Sequence, residues 1–311
     1  AWLLYRRRFR GVTALRTAVT IPFVLPTVVV GVAFGSLLRP DGLLGGLGLD
    51  GTAAPIIAAL VFFNYSVAVR TIGTLWERLD PRLAQAAATL GASQLRVLFT
   101  VTLPALGPAL VSAASLVFLF SASSYGIVMV LGQTRYESIE TQIWFLTTQL
   151  LDLRGAAALS ITQLIIVTAA LWSSSRTQAR LTAALRLQPA GSGSTPLRLP
   201  RDIVALGITL GVALLLIGLP LVNLAWRSLH RGGGLTTANY ADLVTGSVAG
   251  STLPAALATS LVTALAATAI AVPLGLIVAL VASRRPRAAA GRRALSTLEA
   301  LFLLPLGVSA V

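Results

Sequence analysis

Six apolar runs of roughly membrane-crossing length, with the start of a seventh, leave this chain few folds to choose from. They are Val19 to Leu38, Ala53 to Ile72, Ala105 to Leu131, Ala156 to Trp172, Ile203 to Trp226 and Leu253 to Ala282; the seventh begins near Ala294 and reaches Val311. A transmembrane helix needs about 20 mostly apolar residues. In lipid every backbone polar group must be satisfied within the structure, which leaves helices and closed barrels. Continuous runs of this length predict helices, hence an all-α integral membrane protein. Pro26, Pro220 and Pro273 lie inside runs, where neighbouring helices can satisfy the carbonyls that a proline frees.

Composition narrows the function classes. Of 311 residues, 56% are hydrophobic and 11% charged, against about 25% charged in soluble domains. The apolar excess excludes intrinsic disorder. There is no cysteine and one histidine, His230, so disulfides, thiolate metal sites and multi-histidine metal sites are excluded. No metal or cofactor is expected. No phosphate-binding loop of the G-x-x-x-x-G-K-[ST] type is present, so this chain is not expected to be an enzyme that hydrolyses ATP. No paired carboxylates lie within a run, which disfavours a proton-coupled carrier.

The net charge of +14 first suggests an acidic partner, but its distribution gives an orientation. All basic residues are arginines. With a cytoplasmic N-terminal segment, 19 of the 24 fall in the inner segments 1–18, 73–104, 173–202 and 283–293, counting Arg70 at the inner boundary. Only Arg39, Arg135, Arg154, Arg227 and Arg231 are outside. This is the positive-inside pattern. The cluster Arg6 to Arg10 reads as a topology determinant near anionic lipid and not as a nucleic-acid site. Glu137 and Glu140 lie outside, where a solvated loop face competes with a surface on which a delivering protein docks, and His230 reads as an interfacial loop residue.

Pro189 to Pro200 is rich in Gly, Ser and Pro and reads as a flexible linker. It separates a first group of spans, residues 1–188, from a second, residues 201–311. Tyr5 to Val32 and Ser283 to Val311 echo one another as arginine cluster, amphipathic stretch and apolar run with Leu-Pro, at an offset of 279 residues. The echo predicts two parallel pseudo-repeats, a known transporter architecture. The sequence starts without Met and stops inside an apolar run, so it is expected to be a window cut from a longer chain at both ends.

The segment most suggestive of function is the inner one from Asp80 to Pro104, DPRLAQAAATLGASQLRVLFTVTLP. Ala84 to Leu90 is expected to be a short Ala-rich helix. Gly91 is expected to break it in the left-handed region that glycine enters freely, and Ser93 to cap a second short helix. Pro104 then marks entry into the next span. The product is a helix–turn–helix whose small side chains let another protein approach closely.

This segment resembles the signature E-A-A-x3-G-x9-I-x-L-P of importer permeases of the ATP-binding-cassette type. The matching positions are Gln85-Ala86-Ala87, Gly91, Val101, Leu103 and Pro104; Gln85 replaces Glu and Val101 replaces Ile. The resemblance implies that Gln85, Ala86, Ala87, Gly91 and Pro104 form a loop that docks on an ATPase subunit. It also implies a second partner, an extracytoplasmic solute-binding protein, a site in the bacterial plasma membrane, and transport by alternating access. The flanks VFFNYSVAVR and SIETQIWFLTTQLLDLRGAAALSITQL are similar to fused two-half permeases of thiamine and ferric-iron importers. The likeness covers residues 19–175 well and 200–311 more weakly. Thiamine or ferric iron is the substrate it implies.

Polar residues inside the runs are candidates for the translocation path: Asn64, Ser121, Ser123, Ser124, Tyr125 and Gln163. Intramembrane polar groups face the bundle interior. For Asn64 and Gln163 the competing reading is a hydrogen bond between helices, and for the serines close helix packing. Two other functions fit the same spans, a secondary carrier without an ATPase and a membrane scaffold without a substrate. Uptake driven by a proton gradient alone marks the first; failure to co-purify with an ATPase and a binding protein marks the second.

Overall fold

The computed structural model describes residues 1–132, 135–182, 194–248 and 251–283. The expected run 294–311 lies outside the described residues, as do residues 189–193 of the expected linker. Helices dominate. The strands among the described residues are two-residue bridges, so the all-α expectation holds. The described residues divide into two compact units, Ala1–Asn223 and a second that begins at Leu224.

The first unit opens with α1 (Trp2–Arg6), α2 (Val12–Val24), α3 (Thr27–Leu38) and α4 (Ala53–Arg78). The short α5 (Pro81–Thr89), α6 (Gln94–Val97) and α7 (Leu103–Ala105) follow, then α8 (Gly107–Ala122), α9 (Tyr125–Leu131), α10 (Ile139–Thr148), α11 (Leu153–Thr182) and α12 (Leu199–Val212). A wide helical turn from Ala213 to Gly218 joins α12 to α13 (Leu219–Ser228), in which the first unit ends. Helix α4 is the hub and packs on α2, α3 and α8; α3 packs on α9, and α11 on α8 and α10. The core gathers Val30, Phe34, Leu37, Ile56, Ala59, Phe62, Ile127 and Val128 between α3, α4 and α9. Phe34 and Phe62 meet edge to face, ring centroids 5.5 Å apart, a favoured aromatic geometry.

Two expected continuous spans are broken. The run 19–38 is realised as α2 and α3, bent by 98° at Leu25-Pro26. Leu25 is extended (φ −71°, ψ 137°), the conformation a following proline imposes, and Pro26 supplies no N–H to continue the helix. The run 105–131 is likewise interrupted. The helix from Gln94 to Ala105 and α8 are bent by 67° across Leu106, where Pro104 and Pro108 flank the break, and α8 ends at Ser123 before α9 begins. Pro104 therefore lies on the near side of the bend and does not open the long helix; Gly107-Pro108 does. Among the described residues, four helices are long and apolar enough to cross a membrane on their own: Ala53–Arg78, Leu153–Gln178, Asp202–Ser228 and Leu253–Leu280.

The described end of the expected linker makes specific contacts. Thr195–Pro196 pairs in parallel with Arg7–Arg8, and Arg7 forms an ion pair of 2.8 Å with Asp202 at the start of α12. Asp202 is only 3% exposed and also accepts a hydrogen bond from the Arg198 N–H at 3.0 Å. Asn223 donates to Ser36 at 2.7 Å. These contacts hold residues 194–223 in the first unit. The arginine cluster is divided accordingly. Arg6 donates to the Leu79 carbonyl at 3.1 Å and Arg7 is held by Asp202, while Arg8 and Arg10 are exposed. Burial, then the neighbouring Arg7, pulls the Arg6 pKa down, and Asp80 partly restores it.

Removing one partner from a buried ion pair strands the other. Asp202→Ala is expected to destabilise the first unit by about 3 kcal/mol. Thermal unfolding of the purified protein in detergent checks this, and an unchanged midpoint would show the pair to be dispensable.

The second unit contains the end of α13, a turn pairing His230–Arg231 with Gly234–Leu235, α14 (Ala238–Thr245) and α15 (Leu253–Ser283). His230 stacks on Trp226, ring centroids 4.1 Å apart.

Candidate coupling surface and translocation path

The inner helix–turn–helix is built by local rules at each corner. Asp80 caps α5, its Oδ1 accepting from the Arg82 N–H at 2.9 Å, with Pro81 at the first helical position. At the other end Gly91 has φ +85°. Its N–H donates to Ala88 O at 3.0 Å and the Ala92 N–H to Ala87 O at 3.1 Å, the paired bonds of a Schellman cap. Ser93 caps α6, accepting from the Arg96 N–H at 3.3 Å. A wide turn from Leu98 to Thr102 leads into α7. Helix α5 is one turn longer at its start than the Ala-rich stretch alone predicts, because Asp80-Pro81 initiates it.

Gln85, Ala86, Gly91 and Pro104 are exposed, and Ala87 is half-buried. Large apolar side chains are exposed on the same segment: Leu83, Leu95, Phe99 and, at the tip, Leu90 at 89%. Arg82 and Arg96 lie among them, so this surface belongs on the aqueous side, where an exposed apolar patch marks an interaction site. Behind it, Gln85 faces a cavity of about 490 Å³ with Trp2, Arg7, Gln94 and Asp202 among its lining. Position 85 thus faces this chain's own Arg7–Asp202 pair.

The path candidates separate into groups. Asn64 on α4 donates to the Leu60 carbonyl at 3.0 Å and to the Ser121 hydroxyl of α8 at 3.2 Å, so these two are brought together. The Asn64 Oδ1 and Ser124 Oγ are buried with no partner among the described residues. Ser123 donates back to Leu119 O at 2.8 Å within α8. Tyr125 packs near Trp144 of α10, centroids 6.0 Å apart. Gln163 is elsewhere. Its Nε2 donates to Glu140 Oε1 at 2.5 Å, so it joins α11 to α10 as the interhelical hydrogen bond that competed with the path reading.

Glu140 corrects the sequence reading outright. It is 1% exposed and is not a solvated loop carboxylate. It sits in the first turn of α10, whose N-terminus is closed by a reciprocal cap between Ser138 and Thr141. The helix N-terminus favours the negative charge and Gln163 supplies a donor. Gln163→Leu is expected to lower stability by about 1–2 kcal/mol, since a buried carboxylate loses a charge-assisted bond. Thermal unfolding reads this; a loss of transport with stability intact would instead return Gln163 to the path.

Residues 1–186 match the family model described as the binding-protein-dependent transport system inner membrane component. The chain belongs to this family. Its relatives include the sulfate transport system permease protein CysT of Salmonella typhimurium and that of Escherichia coli, each 33% identical over 168 residues, 51% of this chain and 61% of the relative. The molybdenum transport system permease protein ModB of Haemophilus influenzae is 35% identical over 135 residues, 40% of this chain and 58% of the relative. The chain thus spans about three-fifths of the length of the curated relatives it matches. Membership places it among inner-membrane transport components and not among enzymes. The match covers the helix–turn–helix and every path candidate, while the long helices Asp202–Ser228 and Leu253–Leu280 lie beyond it.

One feature of the inner end went unread in the sequence. Ser66, Val67, Arg70, Thr71 and Thr74 of α4 line a cavity of about 360 Å³ with Phe23, Leu116 and Phe120. The signal was available: these positions recur at the spacing of one helical face, but Arg70 had served only as a charge at the inner boundary.

Proposed function

We propose that this chain is the permease subunit of a bacterial ATP-binding-cassette importer, with two permease halves fused, and that it moves a small oxyanion inward by alternating access. The observation that carries the reading is the water-side helix–turn–helix, Schellman-capped at Gly91, with Leu90 at 89% exposure and further apolar side chains around it. Such a surface needs an apolar groove on a partner, and the inner side is where ATP is. The partners are a cytoplasmic ATP-binding subunit, a solute-binding protein outside, and the surrounding lipid. Coupling requires that the ATPase bind the two permease states with different affinity. Fusion is supported by the two long helices beyond the family match and by the echo of residues 5–32 in 283–311.

The substrate moves from thiamine or ferric iron to the class of sulfate and molybdate. The named relatives are sulfate and molybdenum permeases. In the first unit the buried Glu140 is bonded by Gln163 and the buried Asp202 is paired with Arg7, so neither presents a bare carboxylate to a cation.

The absence of cysteine makes a clean test possible. Leu90→Cys introduces a unique thiol, and with a cysteine placed in the groove of the ATP-binding subunit it is expected to cross-link in the co-expressed complex. Sulfate- or molybdate-loaded binding protein should then stimulate ATP hydrolysis. A complex that neither cross-links nor co-purifies with an ATPase would sink the reading.

A further inference from the structure

The geometry points to an oxyanion site on the inner third of α4, with Arg70 as the residue that recognises the anion. The inference rests on the transport reading above and goes beyond it by placing the anion. The cavity of about 360 Å³ has a polar wall and an apolar end. Ser66, Arg70 and Thr74 stand one turn apart along one face of α4, with Thr71 beside them. Arg70 is exposed to the cavity, and no carboxylate pairs with its guanidinium among the described residues. By contrast Arg7 pairs with Asp202, and Arg16 lies 3.7 Å from Glu77. A guanidinium presents a planar fork of donors that matches a tetrahedral oxyanion in two places. The Ser66 hydroxyl is buried and donates to the Phe63 carbonyl, while the exposed Thr74 hydroxyl donates to the Thr71 carbonyl at 3.1 Å and can turn to donate to an anion instead.

The opposite end of the cavity is closed by aromatic rings. Phe23 lies 5.5 Å from both Phe63 and Phe120, centroid to centroid, and Phe63 lies 6.5 Å from Phe120. Asn64 and Ser121, the bonded polar pair, are the next residues along α4 and α8. On α4 Asn64, Ser66, Arg70 and Thr74 all follow Phe63, so the polar residues run from the aromatic cluster toward the cavity along one helix. A dianion cannot rest among the rings without losing its hydration, whereas the Arg70 end of the cavity offers it donors. Phe23 belongs to α2, just before the bend at Leu25-Pro26, so movement at that bend shifts the apolar end of the cavity directly.

The experiment uses the full-length permease assembled with its ATPase and binding protein in proteoliposomes, with radiolabelled sulfate and molybdate as probes. Arg70→Gln is expected to lower the amount of anion taken up per ATP hydrolysed about tenfold, the effect of one charge-assisted contact, and Arg70→Lys to recover most of it. Equal uptake per ATP in Arg70→Gln and wild type would overturn the site. So would an equal defect in Arg70→Lys, which would mark a structural role. A lipid phosphate offers the same chemistry. If native mass spectrometry shows Arg70→Gln losing a bound phospholipid while sulfate and molybdate uptake persists, the ligand is lipid and the proposal fails. A wild-type complex whose ATPase ignores the loaded binding protein would instead overturn the transport reading itself.

Discussion

Leu90→Asp is expected to reduce ATP-driven uptake by about 30-fold or more while leaving insertion and folding unchanged. The first half of that expectation follows from the place of Leu90 at the tip of the helix–turn–helix. A central apolar anchor of an interface contributes about 2–4 kcal/mol, and burying an unpaired carboxylate in its place adds a desolvation cost. The second half follows from exposure: at 89% exposed, Leu90 supports little of its own fold. Gly91 provides an independent arm. Nothing stands within 4 Å of a Cβ added there, yet φ is +85°. Gly91→Val therefore meets no steric neighbour and acts through the backbone alone, costing about 1–3 kcal/mol to hold a β-branched residue in that region. The turn would open and the two short helices would lose their relative direction. ATP hydrolysis measured beside uptake separates these effects: both variants should hydrolyse ATP without matching transport or fail to respond to the binding protein. Wild-type coupling in both would remove the docking role from this segment.

The parts of this site that were legible in sequence are those with local causes. A cap and a left-handed glycine act within four residues of themselves, and Gly91 and Ser93 each do what their type implies, while Asp80 and Pro81 start α5 three residues before the Ala-rich stretch. The apolar runs were legible too, because lipid demands length and hydropathy. The direction of the chain within a run was not. A window of about 20 residues measures apolarity and is blind to a 98° bend at Leu25-Pro26, which needs the surroundings to turn a tolerated proline into a break. Partners distant in sequence were equally hidden. Gln163 lies 23 residues from Glu140, and Asp202 lies 195 from Arg7. Charge counting assigned those acids to a side of the membrane and had no means of finding that they are buried. The cavity at Arg70 lies between these cases: its α4 face is periodic and readable, while Phe23, Leu116 and Phe120 join it only through packing.

Gly126→Val is expected to prevent the first unit from reaching its folded packing, the largest stability effect at any single position considered. Helices in lipid gain little from the hydrophobic effect between them and associate by close packing at small residues. Helices α3 and α9 show that mode. A Cβ added at Gly126 would meet the Thr27 hydroxyl, the Val28 backbone nitrogen at 2.7 Å and the Val28 Cγ2 at 2.9 Å. One turn further along the contact, a Cβ at Gly31 would meet the Val130 Cβ at 2.8 Å. Side chains can rotate away from an intruding methyl; the Val28 nitrogen cannot, so α3 and α9 must separate. Overpacking a tight interior costs about 1–3 kcal/mol per inserted group, and valine inserts three carbons. Thr27→Ala relieves the hydroxyl contact and leaves the backbone one, so the double variant Gly126→Val with Thr27→Ala is expected to stay defective. Thermal unfolding and size-exclusion behaviour in detergent read the outcome, and a wild-type midpoint for Gly126→Val would mean that α3 and α9 do not pack backbone to backbone. The same separation would move α3 relative to the bend at Leu25-Pro26, and with it Phe23. Gly126→Ala, the milder form, is therefore expected to disturb transport at temperatures where the protein remains folded, because the apolar end of the Arg70 cavity is held by the helix on the other side of that bend.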